Sequence, residues 1–421
     1  MPVISVPYAF NEEELYVDLR SIFGHSLFLK CEGFNFAGSI KLKAATEMVE
    51  AAERDGVLTP ESILVESSSG NLGVALSMIA ASKGYRFLCV TDSRGNLSTR
   101  MMMEALGSEV HMIAGQEANG GFLGARIAYV RALCASDDRY VWLSQYTNPS
   151  NWKAHYRKTA PEIARQFPRL DVLFVGAGTT GTLMGCARYF REWHRPVRIV
   201  AVDSVGSVSF GGPPGRRMIP GLGMSMRPPL LDESYVDEVI RVEEADTIRT
   251  CHRLARRGFL FGGSTGTVVS GATDWLAGHD ARELTAVAVG PDLGERYLDT
   301  IYQTNWLKDL YGDEVLDSDD VAAGSWASSP RSRPGGAVRW ICRPVTTTAT
   351  STISSMTARP KCSVHGAGRA PVRRRCFPGR HASRQRGRRM SNTMRATCSS
   401  VRRSPDSRSQ PSSLSIVCSR W

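Results

Sequence analysis

Val172-Leu173-Phe174-Val175-Gly176-Ala177-Gly178-Thr179-Thr180-Gly181-Thr182 passes from an apolar run into a turn of glycines and threonines, and a helical pattern follows to His194. A short apolar run bounded by turn residues reads as a buried strand. Glycines let backbone N–H groups close around an anion, and the threonines add hydroxyl donors. Strand, glycine turn and helix in that order form the repeating unit of α/β folds built on parallel sheets.

The unit recurs along the chain. Strand candidates are Ser26–Lys30, Ile63–Glu66, Phe87–Thr91, Glu109–Ile113, Val172–Gly176, Arg198–Asp203 and Thr285–Val289. Helix candidates lie at Leu72–Lys83, Asn96–Leu106, Gly121–Ser136, Trp152–Gln166, Thr182–His194 and Ala245–Arg257. The expected fold is α/β with two lobes, residues 1–145 and 146–312, each a mainly parallel sheet flanked by helices. The first strands are free to pack on the other lobe. Parallel sheets bind ligands at the carboxyl ends of their strands, so a cleft between the lobes is expected.

The charge is segregated. The chain of 421 residues has a net charge of +11, but residues 321–421 hold 20 of its Lys and Arg against one acid, Asp406. That stretch carries +19, which leaves −8 for residues 1–320. Residues 313–421 read as an acidic linker followed by a disordered tail rich in Arg, Ser, Pro and Thr, too poor in apolar residues to offset the entropy of ordering. Arginine-rich disorder can bind nucleic acid through its phosphates. This tail has almost no aromatic residues to stack on bases, and nucleic acid is not an expected partner. Translation in a shifted reading frame is the favoured account of the tail. Of ten cysteines, five (Cys31, Cys89, Cys134, Cys186 and Cys251) are scattered through the body. None has zinc spacing, so no metal is expected, and they read as reduced core residues of a cytoplasmic protein. The N-terminus lacks a signal-peptide pattern and no run is long enough to span a bilayer.

Four segments carry chemistry. In Asn35-Phe36-Ala37-Gly38-Ser39-Ile40-Lys41, one lysine follows small and turn-forming residues with no acid beside it. A lysine is nucleophilic only when neutral, and burial without a counter-ion favours that form. Glu66-Ser67-Ser68-Ser69-Gly70-Asn71-Leu72-Gly73 places hydroxyls and an amide at a helix N-terminus. It suits a carboxylate or is a plain N-cap. The 172–182 turn suits a phosphate. It also matches GxGxxG, with Asp203 at dinucleotide spacing, so an NAD site stays open. Phe261-Gly262-Gly263-Ser264-Thr265-Gly266-Thr267 opens a further helix.

Together and in this order the four segments resemble the fold-type II enzymes of pyridoxal 5′-phosphate (PLP), the tryptophan synthase β-like class. The cysteine synthase and cystathionine β-synthase superfamily is the nearest broad match. Its lysine motif, Asn-x-x-Gly-Ser-x-Lys, is met by Asn35, Gly38, Ser39 and Lys41, and Gly290–Leu298 also fits. The resemblance implies that Lys41 bears PLP and then acts as general base. It also implies that Asn71 bonds the ring hydroxyl, Gly178, Thr179, Thr180, Gly181 and Thr182 hold the phosphate, and Ser264 meets the ring nitrogen. Ser68, Ser69 and Gly70, with Gln145, would take the substrate carboxylate. Ser69–Leu76, Gly120–Leu123 with Arg126, Gln145-Tyr146, Val202–Val208 and Gly262–Gly266 resemble one branch most closely. That branch joins O-phospho-L-serine and L-glutamate on the way to 2,3-diaminopropionate for siderophores or antibiotics. It implies a phosphate-binding role for Arg126, with Tyr146 beside it, and it implies a homodimer and a partner dehydrogenase that consumes the product. Two departures stand out: Leu42-Lys43 replaces the usual Asp-Arg, and Tyr16-Val17-Asp18-Leu19 stands where Gly-Asn-Thr-Pro-Leu is usual. Cysteine synthase with sulfide as nucleophile is the alternative activity. A PLP-binding scaffold and an NAD-dependent dehydrogenase are the readings from other classes.

Overall fold

The computed structural model describes residues 3–12, 14–93, 95–114, 122–193, 196–281 and 283–316. All of them belong to the unit Met1–Arg333. The tail expected from the sequence lies outside the described residues.

Ten strands are formed: β1 (Tyr16–Asp18), β2 (Leu27–Cys31), β3 (Ile63–Ser67), β4 (Arg86–Asp92), β5 (Glu109–Ile113), β6 (Tyr140–Trp142), β7 (Val172–Gly176), β8 (Arg198–Ser204), β9 (Glu238–Val242) and β10 (Ala286–Gly290) among the described residues. The helices are α1 (Arg20–Phe23), α2 (Lys41–Arg54), α3 (Asn71–Lys83), α4 (Leu97–Ala105), α5 (Leu123–Ser136), α6 (Pro149–Arg157), α7 (Thr159–Gln166), α8 (Gly181–Glu192), α9 (Glu244–Ala255), α10 (Gly263–Gly278) and α11 (Thr304–Tyr311).

The strands make two sheets, one ordered β1-β2-β10-β7-β8-β9 and one β5-β4-β3-β6. Every pairing is parallel except β1 with β2. The first two strands join the sheet built mostly from the second half of the chain, with Val287 of β10 in register between Phe28 and Leu173.

Period-two alternation explains the large sheet. Val172 and Phe174 face one side with Val200 and Val202, packed on Val268, Val269, Ala272 and Trp275 of α10. Leu173 and Val175 face the other with Ile199, Ala201, Val287 and Val289, packed on Leu183 and Phe190 of α8. A sheet buried on both faces needs continuous apolar runs, which is why these strands are readable in the sequence. In the small sheet α3 is buried along most of its length through Leu72, Val74, Leu76 and Ile79.

The sequence differs from the structure in two ways. The stretch expected as one helix over Trp152–Gln166 breaks at Lys158 (φ −121°, ψ −71°) into α6 and α7. Pro161 explains the break. Its ring collides with the carbonyl four residues earlier, at Arg157, where α6 ends, and in the first turn of α7 its missing N–H costs nothing. The strands β1, β6 and β9 went unread because they are short or mix charge into the run, as edge strands do.

Behind α2 lies a buried ion cluster. Lys43 Nζ is 2.8 Å from Glu162 Oε2 and 3.1 Å from Glu32 Oε1, and Lys30 Nζ is 2.8 Å and 3.3 Å from the same two carboxylates. Where the superfamily resemblance predicts Asp-Arg, Leu42 enters the core and Lys43 joins this cluster. Removing one member of such a group leaves an uncompensated charge in the interior. Glu162→Leu should therefore destabilise the fold by about 3–5 kcal/mol, read as a lower urea midpoint with the slope unchanged.

Candidate active site

The strands of both sheets point their carboxyl ends at one cavity of about 180 Å³. The residues to which the resemblance gives cofactor or substrate roles all line it: Lys41, Ser68, Ser69, Gly70, Asn71, Arg126, Gln145, Tyr146, the turn Gly178, Thr179, Thr180, Gly181 and Thr182, and Ser264. Lys41, Arg126, Arg217 and Arg296 supply cations to the lining, and no Asp or Glu is in it among the described residues. Such a concave surface of one sign collects anions.

Lys41 opens α2. The loop before it is stapled by Asn35. Its Nδ2 donates to the carbonyls of Glu32 and Ser39, both at 3.1 Å, and its Oδ1 accepts from the N–H of Ala37 at 3.0 Å. Gly38 has φ +62°, and a Cβ there would lie 2.9 Å from the Arg296 guanidinium. The Asn-x-x-Gly pattern thus builds a turn that aims Lys41 into the cavity. Its Nζ lies 3.5 Å from Thr179 Oγ1. Burial pulls its pKa from 10.5 down to about 8, opposed only by the charge of Glu66. Lys43, two residues on, holds Glu32 and Glu162 in the cluster behind the helix.

The serine turn is held from below by Glu66. Its Oε1 accepts from Trp142 Nε1 and the N–H of Ser67, both at 2.9 Å, and its Oε2 accepts from the N–H of Gln145 at 3.1 Å. Burial pushes the Glu66 carboxyl up to about 7 against those bonds. Gln145 Nε2 and Tyr146 OH donate to the carbonyl of Ser67 at 2.8 and 3.1 Å. Ser68 Oγ accepts from the N–H groups of Gly70 and Gly73 at 3.2 and 3.0 Å, which is a capping role. The Ser68 hydroxyl is thus engaged by the backbone of its own turn and is less available to a ligand than that of Ser69.

The glycine turn is tight. Thr180 has φ +66°, a Cβ at Gly178 would meet the Gly221 carbonyl at 2.6 Å, and one at Gly181 would meet Asn151 Oδ1 at 2.1 Å. Asn151 Nδ2 donates to Thr179 Oγ1 at 3.0 Å and to the Gln145 carbonyl at 2.7 Å, tying the turn to the serine side. The N-terminus of α8 opens onto this turn, a ready anion site. The dinucleotide reading fails here. Asp203 is fully buried, its carboxylate accepts from the N–H of Ser204 at 2.9 Å, and it does not reach the cavity.

Ser264 stands on the first turn of α10 beside Gly221, whose Cβ would lie 2.1 Å from the serine Oγ. Ser264 and Tyr297 both line the cavity, and Tyr297 OH donates to Asp292 Oδ2 at 2.5 Å. The other side of Asp292 accepts from the N–H of Thr265 at 3.1 Å, and Asn71 Nδ2 approaches its Oδ2 at 3.3 Å. Sequence reasoning gave no role to Arg217–Ser225, Arg296 or Tyr297, which also line the cavity. The glycines of Pro220-Gly221-Leu222-Gly223 were the available signal for the first, since close backbone approach needs glycine.

A buried lysine with a lowered pKa, a glycine turn at a helix N-terminus, a hydroxyl set apart from any direct carboxylate and a serine turn at a second helix N-terminus are the features of a PLP enzyme of the two-sheet type. The residues present fit that cofactor: an amine for its aldehyde, the α8 turn for its phosphate and Ser264 for its ring nitrogen. Residues 16–292 match the family described as pyridoxal-phosphate dependent enzyme, and the chain belongs to it. It is 41% identical over 283 residues to N-(2-amino-2-carboxyethyl)-L-glutamate synthase of Ralstonia nicotianae, covering 67% of this chain and 83% of that protein. The enzyme of the same name from Cupriavidus metallidurans is 40% identical over 298 residues, covering 69% and 87%. Among solved structures, O-ureido-L-serine synthase is 31% identical with a TM-score of 0.67, covering 77% of this chain and all (100%) of the other. A hydrogen sulfide-producing enzyme from Fusobacterium nucleatum is 29% identical with a TM-score of 0.66, covering 70% and 100%.

Two outcomes follow. Capture of PLP by the apoprotein, followed by absorbance, should speed up as pH rises through about 8, because the neutral amine of Lys41 is the reactive form; an exposed lysine would show its midpoint near 10.5. Gly221→Ala, at φ +118° and against Ser264, should lose PLP on gel filtration while keeping the far-ultraviolet circular dichroism of the parent.

Proposed function

We propose that the chain joins O-phospho-L-serine and L-glutamate into N-(2-amino-2-carboxyethyl)-L-glutamate with release of phosphate, a step toward 2,3-diaminopropionate. Two relatives near 40% identity carry that product's name. The observation in this molecule that carries the reading is Arg126. It is only 5% exposed, lines the cavity, and touches Asp92 through Nε at 3.3 Å. Its Nη1 has no hydrogen-bond partner among the described residues. A guanidinium nitrogen left without an acceptor in a buried site is costly, and a phosphate group on the substrate supplies the acceptor.

PLP, when bound, supplies the electron sink for carbanion chemistry at Cα. The residues of this chain do the rest. Ser69, the N–H groups at the start of α3 and Gln145 orient the amino-acid carboxylate. Lys41, once free, removes the Cα proton as general base and later returns it. Arg126 holds the phosphate as the Cβ–O bond breaks and keeps its charge matched as it leaves. The glutamate amine then forms the new bond to Cβ. Tyr146, tied to the Ser67 carbonyl, walls the phosphate side. Ser264 offers the ring nitrogen a hydroxyl in place of a direct carboxylate. That limits charge delocalisation into the ring and favours departure of the Cβ group.

We read the working state as a homodimer in the cytoplasm, feeding a dehydrogenase that consumes the product. The described cysteines are free thiols, four of them buried, in keeping with a reducing compartment. No described helix is long and apolar enough to cross a membrane. Sulfide in place of glutamate is the second reading, supported by the likeness to a hydrogen sulfide-producing enzyme.

Purified protein with PLP, O-phosphoserine and glutamate should yield the coupled product by mass and inorganic phosphate in equal amount. Formation of cysteine from added sulfide without glutamate coupling would overturn the first reading in favour of the second. Arg126→Ala should lower kcat/KM with O-phosphoserine by roughly a hundredfold, as expected for loss of a charge-assisted contact of about 3 kcal/mol. The loss with O-acetylserine should be much smaller, and equal losses with both donors would remove the role of Arg126.

A further inference from the structure

The buried ion cluster is connected to the cavity by a chain of hydrogen bonds. Lys43 Nζ lies 3.5 Å from Thr159 Oγ1, Thr159 Oγ1 is 3.0 Å from His155 Nδ1, and His155 Nε2 is 3.3 Å from Thr182 Oγ1. Thr182 belongs to the α8 turn and lines the cavity. Lys43, Thr159 and His155 are all at most 4% exposed. The chain crosses the break that Pro161 makes between α6 and α7, with His155 on one helix and Thr159 on the next.

Donor capacity fixes the first link, and the acceptors at hand favour a direction for the other two. A lysine ammonium only donates, so Thr159 Oγ1 accepts from Lys43. A hydroxyl can accept twice, so this bond alone leaves the next link open; His155 Nδ1 is, however, the one acceptor beside the proton of buried Thr159 among the described residues, which favours donation to the ring. A neutral imidazole that accepts at Nδ1 carries its proton on Nε2. In that tautomer the N–H donates to Thr182 Oγ1, and the Thr182 proton, with no other partner among the described residues, is left for the cavity that Thr182 lines. Independently, burial and then the charges of Lys43 and Lys41 hold His155 well below its ordinary pKa, so the ring stays neutral.

We propose that His155 is a positioning residue: the Lys43 cluster, acting through Thr159, locks it as the Nε2–H tautomer, so that Thr182 presents its hydroxyl proton to a phosphate at the α8 turn. The chain acts as a one-way relay of orientation, with no proton transferred. Its contribution is to remove a rotamer and tautomer search from the site before the anion arrives, which is the source of gain from preorganisation. The proposal rests on the reading that this turn takes the cofactor phosphate, and the test separates the two.

The full chain is prepared as apoprotein with nitrogen-15 histidine, and affinities for PLP and for pyridoxal, which lacks the phosphate, are measured by titration. The side-chain spectrum of His155, assigned with His155→Gln, should show a proton on Nε2 from pH 6 to pH 8. Thr159→Val should cut the preference for PLP over pyridoxal roughly three- to tenfold, the effect of one misdirected hydrogen bond, with pyridoxal affinity unchanged. Thr159→Ser, which keeps the hydroxyl, should restore the preference. A proton on Nδ1, or a Thr159→Val protein with the full preference, overturns the relay and leaves the phosphate site standing. A parent protein with no preference for PLP over pyridoxal overturns both. Equal loss of pyridoxal and PLP affinity in Thr159→Val also overturns the relay, since the hydroxyl would then support the site as a whole.

Discussion

A primary amine at the floor of a buried cavity, denied a carboxylate partner, is the constraint on which the rest of this molecule is arranged. An ammonium there would call for a counter-ion, and no carboxylate lines the cavity among the described residues. Other buried carboxylates are occupied: Glu32 and Glu162 by Lys30 and Lys43, and Asp292 by Tyr297, Thr265 and Asn71. Glu66, the one acid whose charge Lys41 feels, is itself pushed toward its neutral form by burial. Two lysines two residues apart on one helix thus meet opposite fates. Lys43 is paired within the buried cluster, and Lys41 is left with a lowered pKa in the cavity.

The same economy of pairing shapes the walls. Each loop at the cavity is fixed by bonds within the protein: Asn35 for the lysine turn, Glu66 for the serine turn, Asn151 for the glycine turn. The charge that remains in the lining is cationic, set among hydroxyl and amide groups and apolar side chains. A ligand that brings a phosphate, an aldehyde and a carboxylate-bearing partner meets a complement already in place, so little of the binding free energy is lost to ordering the site.

How much of this was readable depended on the kind of residue. The core strands of both sheets were legible because burial on both faces forces unbroken apolar runs, as at Val172–Gly176. The candidate site was legible because tight backbone approach and a lysine without acids leave local marks, as at Gly178–Thr182 and Asn35–Lys41. Pairings between distant segments were not legible. Nothing near Lys43 announces Glu162, and nothing near Ser264 announces Tyr297 and Asp292. His155 sits in an ordinary helical pattern, and only the fold brings it against Thr159 and Thr182. The break at Lys158 was marked by Pro161, and helical periodicity on either side masked it.

The most direct test lies in the covalent address of the cofactor. Protein loaded with PLP is reduced with borohydride, digested and sequenced by mass spectrometry. The pyridoxyl group is expected on the amine of Lys41. A label on Lys43, or none on either lysine, would contradict this assignment.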